Sequence, residues 1–154
     1  MSLDVSSPAF GEGESMPSRF TCDGENVSPP LAWRGVPDGA AALAVIVDDP
    51  DAPAGTWVHW VLYGLDPGTS ELPEGVPARD TVLGGARQGR NDFEDIGYGG
   101  PCPPGGQEHR YRFEVYALDA VPGLAPGATK ADLLEAMEDH VLAEGRLTGT
   151  YRRR

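Results

Sequence analysis

A mainly β domain with one C-terminal helix is the fold class this chain predicts, and three observations predict it. The 21 glycines and 15 prolines are spread along the length rather than gathered into a linker, which reads as many turns. Three short apolar runs carry β-branched and aromatic residues at strand spacing. Only one stretch has the periodicity of a helix. With no internal repeat and no shift in composition, residues 1–154 read as a single domain.

The first run, Ala42 to Val47, lies between the turn signal Pro37-Asp38-Gly39 and the polar stretch Asp48-Asp49-Pro50-Asp51. Its unbroken hydrophobicity predicts a strand buried on both faces. Trp57 to Leu65 is the second. A period of two puts Trp57, His59, Val61 and Tyr63 on one face and Val58, Trp60 and Leu62 on the other, which makes a central strand with a histidine in it. The third, Arg110 to Leu118, alternates openly. Tyr111, Phe113, Val115 and Ala117 face inward, Arg110, Arg112 and Glu114 face outward, and by the same period His109 lies on the inner side.

Lys130 to Ala143 is the expected helix, because Leu133, Met137 and Val141 recur every four residues beside Leu134 and Leu142. Thr129 with Asp132 has the spacing of a capping box, and Gly145 is the expected stop. His140 is expected to serve as a packing or interface residue on the Met137 and Val141 side. Leu147 to Tyr151 returns as a last strand, leaving Arg152 to Arg154 as a solvated tail.

The formal charge of −12 repels a phosphate backbone and disfavours nucleic-acid binding. Of the twelve basic residues only Lys130 is lysine, a bias that suits a high-salt cytoplasm or follows from a GC-rich genome. No apolar run approaches the roughly twenty residues that cross a bilayer, and Asp4, Glu12 and Glu14 occupy the stretch a signal peptide needs apolar. The chain is therefore expected to be cytoplasmic, with no integral-membrane segment. Cys22 and Cys102, eighty positions apart and without metal-binding spacing, are expected to be two reduced thiols, with a disulfide between them left open as the alternative.

Three polar clusters flank buried strands. Asp49 and Asp51 follow one, His59 lies inside the next, and His109 with Tyr111 opens the third. If the strands are neighbours, these side chains converge at one end of a sheet. A buried imidazole needs a partner for a ring nitrogen, and Asp49 or Asp51 is the expected one, a pairing that raises the histidine pKa. The loop Gly97 to Gly106 is glycine- and proline-rich, suited to close backbone approach and a stiff wall. Imidazoles, a phenol and backbone N–H groups together suit a small anion pocket, while the structural alternative is a pair of core histidines satisfied by nearby Asp and backbone. Two histidines and two acids make the pocket's charge depend on pH, so anion affinity is expected to rise as the histidines protonate.

In order and spacing, Asp49-Pro50-Asp51-Ala52-Pro53, His59-Trp60, Gly100-Pro101-Cys102-Pro103-Pro104-Gly105 and His109-Arg110-Tyr111 with Phe113 resemble the signature of the phosphatidylethanolamine-binding proteins. The branch it resembles is the prokaryotic, Raf-kinase-inhibitor-like one. Cys22 to Trp33, Gly89 to Phe93 and the terminal helix and strand match as well, so the resemblance spans nearly the whole chain. It implies a β-sandwich-like domain around a central antiparallel sheet, with an anion or phosphate-head-group pocket at one end. It also implies that Asp49, Asp51, His59, His109 and Tyr111 line that pocket, with Gly100, Cys102, Pro103 and Pro104 in its rim. Relatives in this branch often pair, so a homodimer is expected from the same resemblance.

The expected activity is binding of a small anion or phosphorylated small molecule without cofactor or metal. One alternative is a regulator that engages a phosphorylated protein segment, and another is a thiol hydrolase with Cys102 as nucleophile and His109 or His59 as base. A zinc site built from His59, His109, Asp49 and Asp51 has suitable ligand types, but no motif puts two of them on one element. Ala52-Pro53 and Pro103-Pro104 are the candidate cis bonds.

Overall fold

The computed structural model describes residues 2–153. Strands β1 (Asp4–Ser6), β2 (Leu31–Arg34), β3 (Ala42–Asp49), β4 (Trp57–Leu65), β5 (Glu71–Leu72), β6 (Thr81–Val82), β7 (Ala86–Gln88) and β8 (Glu108–Leu118) precede helix α1 (Lys130–Met137) and strand β9 (Val141–Arg152). Six strands form an antiparallel sheet in the order β6-β7-β4-β3-β8-β9, and β1-β2-β5 form a smaller one.

Strand β3 sits between β4 and β8 in the middle of the large sheet, and all eight of its residues are buried, as its unbroken apolar run predicts. On one face, Leu43, Val45, Val47, Trp60, Phe113 and Val115 pack against Leu31, Trp33 and Leu72 of the small sheet. On the other, Ala44, Ile46, Val61, Tyr63 and Tyr116 pack against Leu133 and Met137 of α1. The result is a mainly β, sandwich-like arrangement with the helix laid on its outer face.

Helix α1 starts as expected. The amide of Asp132 donates to Thr129 Oγ1 at 3.2 Å, while the Thr129 amide donates to Asp132 Oδ2 at 3.0 Å, closing the capping box. It ends six residues early. At Glu138 the backbone becomes extended and Asp139 has φ 67°, which turns the chain so that Val141 and Ala143 pair with Leu118 and Ala117. A long-range partner strand thus overrides the four-residue periodicity of Leu133, Met137 and Val141. His140 lies in that turn, exposed and 2.7 Å from Asp119 Oδ1, rather than packed beneath the helix. Gly145 stops nothing. It lies inside β9, where a Cβ would run into the backbone of Leu3, so its missing side chain lets the N-terminal segment cross. Arg152 ends β9, Arg153 binds Asp23, and Arg154 lies outside the described residues.

Every peptide bond among the described residues is trans, including Ala52–Pro53 and Pro103–Pro104, contrary to the cis bond expected at one of them.

One buried charge fastens helix to sheet. Asp48 is wholly inaccessible, and its oxygens accept from Arg112 Nε at 2.8 Å and from Lys130 Nζ at 2.7 Å. Burial pushes its carboxyl up, but the two cations outweigh burial and hold it below the usual carboxylate range. Lys130 is the first residue of α1, so the only lysine in the chain is committed to this contact. Asp48→Ala leaves two partly buried cations facing each other without their carboxylate. It is expected to cost roughly 3–5 kcal/mol, or about 10 °C of unfolding midpoint at this chain length. Thermal unfolding followed by circular dichroism checks this, and a loss below about 1 kcal/mol contradicts the role assigned to Asp48.

Candidate functional site

At one end of the large sheet, on the face that carries the main core, β3, β4 and β8 bring Asp49, Trp57, His59, His109 and Tyr111 to the wall of a cavity of about 270 Å³. A bulge makes this possible. Val47 pairs with Trp60 but Asp48 pairs with Val58, so β4 has one residue more than β3 between those pairs. The strict alternation expected for Trp57 to Leu65 therefore fails. Val58 packs on the helix side with Val61 and Tyr63, whereas His59 points to the same side as Trp60, against Tyr111.

Both buried histidines find partners, though not the same kind. His109 Nδ1–H donates to Asp49 Oδ2 at 2.7 Å, and Asp49 Oδ1 accepts the amide of Asp51 at 2.7 Å, so this carboxylate spends both oxygens within the protein. His59 Nδ1–H donates instead to the Gly99 carbonyl at 2.6 Å, an assignment fixed by a partner that only accepts. Burial pushes the His59 pKa down, against smaller upward pulls from the Gly99 carbonyl and from Asp49, Asp48 and Asp92. The sequence expectation that pairing raises the histidine pKa is overturned for His59, because desolvation outweighs a neutral backbone acceptor.

Asp51 stands beside the cavity rather than in its wall. Its two oxygens take the Nε, Nη2 and main-chain N–H groups of Arg110, which hold its carboxyl down to about 2. Gly100 is also set back from the wall. Its N–H donates to Asn26 Oδ1 at 2.8 Å, and a Cβ there would strike the Phe20 carbonyl, so the position is one of close loop packing with its amide already engaged.

Cys102, Pro103 and Pro104 do form part of the wall. The expectation of two reduced thiols is corrected: Cys22 and Cys102 form a disulfide that ties the wall to the segment after the 3-10 turn Ser18–Phe20. Sequence separation concealed it, because the loop carrying each cysteine packs on the other. Cys22 N–H donates to the Pro101 carbonyl at 3.0 Å and Tyr98 O–H to the Phe20 carbonyl at 2.7 Å. Closing a loop of 80 residues stabilises the fold by about 4–5 kcal/mol on the chain-entropy account. With Sγ bonded, Cys102 has no thiolate with which to attack, so the thiol-hydrolase alternative does not operate in this oxidised form.

The remaining wall comes from Ala52, Pro53, Trp57 and Phe93, residues not assigned to the site from sequence. Ala52 and Pro53 belong to the same motif as Asp49, and Trp57 is two positions from His59, so both signals were present. Phe93 is brought over by the fold of its loop. Asn91 Oδ1 accepts the Phe93 amide at 2.9 Å, and Asp92 Oδ2 accepts the Val58 amide at 2.7 Å. The rings of Phe93 and Tyr111 meet His59 edge-on with centroids 5.4 and 5.3 Å away.

Tyr111 is the outlier. Its hydroxyl is buried and is the one buried side-chain polar atom among the described residues without a hydrogen-bond partner. Burial, reinforced by Asp49 and Asp51, pushes its pKa far up, so the phenol keeps its proton. Three side chains of the cavity wall thus carry a polar atom that the protein leaves without a short hydrogen bond: Tyr111 Oη, His59 Nε2 and His109 Nε2, the last only in a long 3.4 Å contact with Gln107 Oε1. No three His, Cys, Asp or Glu side chains among the described residues are arranged to hold a metal ion, and no Arg or Lys lines the cavity.

The His59 shift has a testable sign. Its folded pKa lies below the unfolded value of about 6.5, so the native state resists a proton that the unfolded chain accepts. Stability is full above that value and is lost as pH falls from it towards the folded pKa, by up to about 1.4 kcal/mol per pH unit. Urea unfolding between pH 7.5 and 5 is expected to show this slope, reduced in His59→Gln. An unchanged slope in the variant contradicts the assignment.

The phosphatidylethanolamine-binding protein family model matches residues 6–152. A UPF0098 protein of Methanothermobacter thermautotrophicus is 53% identical over 151 residues, covering 98% of this chain and 99% of that one. Two crystal structures are closely similar. A candidate phosphatidylethanolamine-binding protein homologue of Chlamydia trachomatis superposes with a TM-score of 0.91 at 42% identity over 99% of both chains. Escherichia coli YbcL, described as a member of the mammalian family, gives 0.92 at 34% identity over 100% of both. On a family match that spans nearly every residue, and on relatives that share both sequence and fold, this chain belongs to the phosphatidylethanolamine-binding protein family.

Proposed function

We propose that the cavity binds the oxyanion of a small phosphorylated molecule, through hydrogen bonds rather than a permanent positive charge. The carrying observation is the Tyr111 hydroxyl, a buried donor with nothing to donate to. An unmade buried hydrogen bond costs about 1–3 kcal/mol, and an acceptor oxygen in the cavity recovers it. His59 Nε2 and His109 Nε2 supply two further contacts, with the rings held in orientation by Gly99 and Asp49. Trp57, Phe93 and the proline wall exclude water around them, which strengthens each polar contact.

Binding without turnover is the reading the site supports. Asp49 and Asp51 are consumed by structural partners, and Cys102 is bonded to Cys22. The phosphate group can belong to a small molecule or to a phosphorylated protein segment, since the same three atoms serve both. A lipid head group enters this list through the family's name alone. The disulfide bears on compartment: such bonds persist in oxidising settings and in the cytoplasm of hyperthermophiles, and are otherwise transient in a cytoplasm, so it weighs against the cytoplasmic expectation for an ordinary reducing cell. No helix among the described residues is long and apolar enough to cross a membrane.

Tyr111→Phe separates binding from folding. Removing an unpartnered hydroxyl is expected to leave stability unchanged or slightly raised, while weakening affinity for phosphoethanolamine about tenfold. Calorimetric titration beside thermal unfolding checks both halves. Unaltered affinity in the variant contradicts the proposal, as does absence of phosphoethanolamine and phosphopeptide binding to the unmodified protein.

A further inference from the structure

Resting on that oxyanion reading, we propose that the cavity selects an oxyacid group that still carries a proton: a phosphate monoester as its monoanion, in preference to the dianion, a sulfate ester or a carboxylate. His59 spends its Nδ1–H on the Gly99 carbonyl, so the neutral ring presents to the cavity a lone pair on Nε2 and no hydrogen. Tyr111 presents the opposite, a hydroxyl whose proton has no acceptor. A ligand that matches both must offer an acceptor oxygen to Tyr111 and a hydroxyl hydrogen to His59. A singly protonated phosphate ester has both on one phosphorus. A sulfate ester or a dianionic phosphate has acceptors only, and turns one of them towards the His59 lone pair.

Charge points the same way. The titratable groups packed around His59 are Asp49 on β3, Tyr111 and His109 on β8, and Asp92 on the loop that carries Phe93, while Asp48 acts on it from the helix side of the sheet. Asp49 is engaged by His109 and the Asp51 amide, Asp48 by Arg112 and Lys130, and Asp92 by the Val58 amide. No Arg or Lys lines the cavity, and the one imidazole there that is held by a carboxylate, His109, already has Asp49 as its counter-charge. A second negative charge on the ligand would be buried without compensation, a cost that grows as water is excluded. Protonating His59 instead works against its burial and the three carboxylates can offset that only in part.

Phenyl phosphate and phenyl sulfate share shape and ring, and only the phosphate takes up a proton near pH 6, so the pair isolates the effect. Titration calorimetry at fixed ionic strength from pH 6.5 to 8.5 works at and above the ordinary imidazole value, from which burial lowers His59. Referred to the monoanion present at each pH, about a tenth of the ester at pH 7, the phosphate is expected to bind at least about tenfold tighter than the sulfate, the factor set by one mismatched buried hydrogen bond. Its affinity is expected to fall as pH rises, following the ligand's second ionisation, and phenylphosphonate, whose second pKa is higher than the ester's, should keep its affinity to correspondingly higher pH. Equal binding of phosphate and sulfate, or phosphate affinity that rises with pH, overturns the proton selectivity and leaves a general anion site. If neither ester binds and a phosphopeptide also fails, the oxyanion reading itself falls and this inference falls with it.

Discussion

A carboxylate buried at the end of an apolar sheet must have all its hydrogen bonds made, and the geometry of the site follows from how Asp49 meets that constraint. One oxygen closes the turn that begins the Asp49 to Pro53 motif, and the other holds His109 on the neighbouring strand. Asp49 thereby fixes the motif to the sheet and orients one imidazole. It is a positioning residue with no oxygen left to offer. Asp51 repeats the logic one layer out, binding Arg110 by side chain and main chain together. The acidic motif that first suggests chemistry is thus the clamp of the site, and the groups left for a ligand are a phenol and two imidazole nitrogens.

The centre of the large sheet was legible in sequence because its three central strands are long and clearly apolar, whereas the short β6 and β7 at its edge were not. Ala42 to Val47, Trp57 to Leu65 and Arg110 to Leu118 all form strands, and their adjacency in space is what gathers the site. The small sheet was not legible, because β1, β2 and β5 are two to four residues long and owe their pairing to the partners they meet. The end of α1 was misread for a related reason. Val141 fits the helical repeat as well as it fits a strand, and only the register with Leu118 decides between them.

Two features of the site required three dimensions. The bulge opposite Val47 and Asp48 rotates His59 onto the face of Tyr111, and a period of two cannot reveal an inserted residue. The Cys22–Cys102 bond likewise depends on two loops that meet far from each other in sequence, and it converts a proline-rich segment into a fixed wall. Resemblance to the family gave most of the lining residues, yet Trp57 and Phe93, which shape the cavity, were recovered only from packing.

A cavity with one orphaned donor, one anchored imidazole lone pair and no lining cation is organised by hydrogen-bond polarity, and the orientation of His59 is its centre. The most direct test is long-range nitrogen NMR of the histidine side chains at pH 7.5, before and after adding phosphoethanolamine. The account predicts that free His59 is the tautomer protonated at Nδ1, and that on binding its Nε2 signal moves as a hydrogen bond forms while Nδ1 stays fixed. A His59 protonated at Nε2 in the free protein, or an Nε2 signal that saturating ligand leaves unmoved, would contradict it.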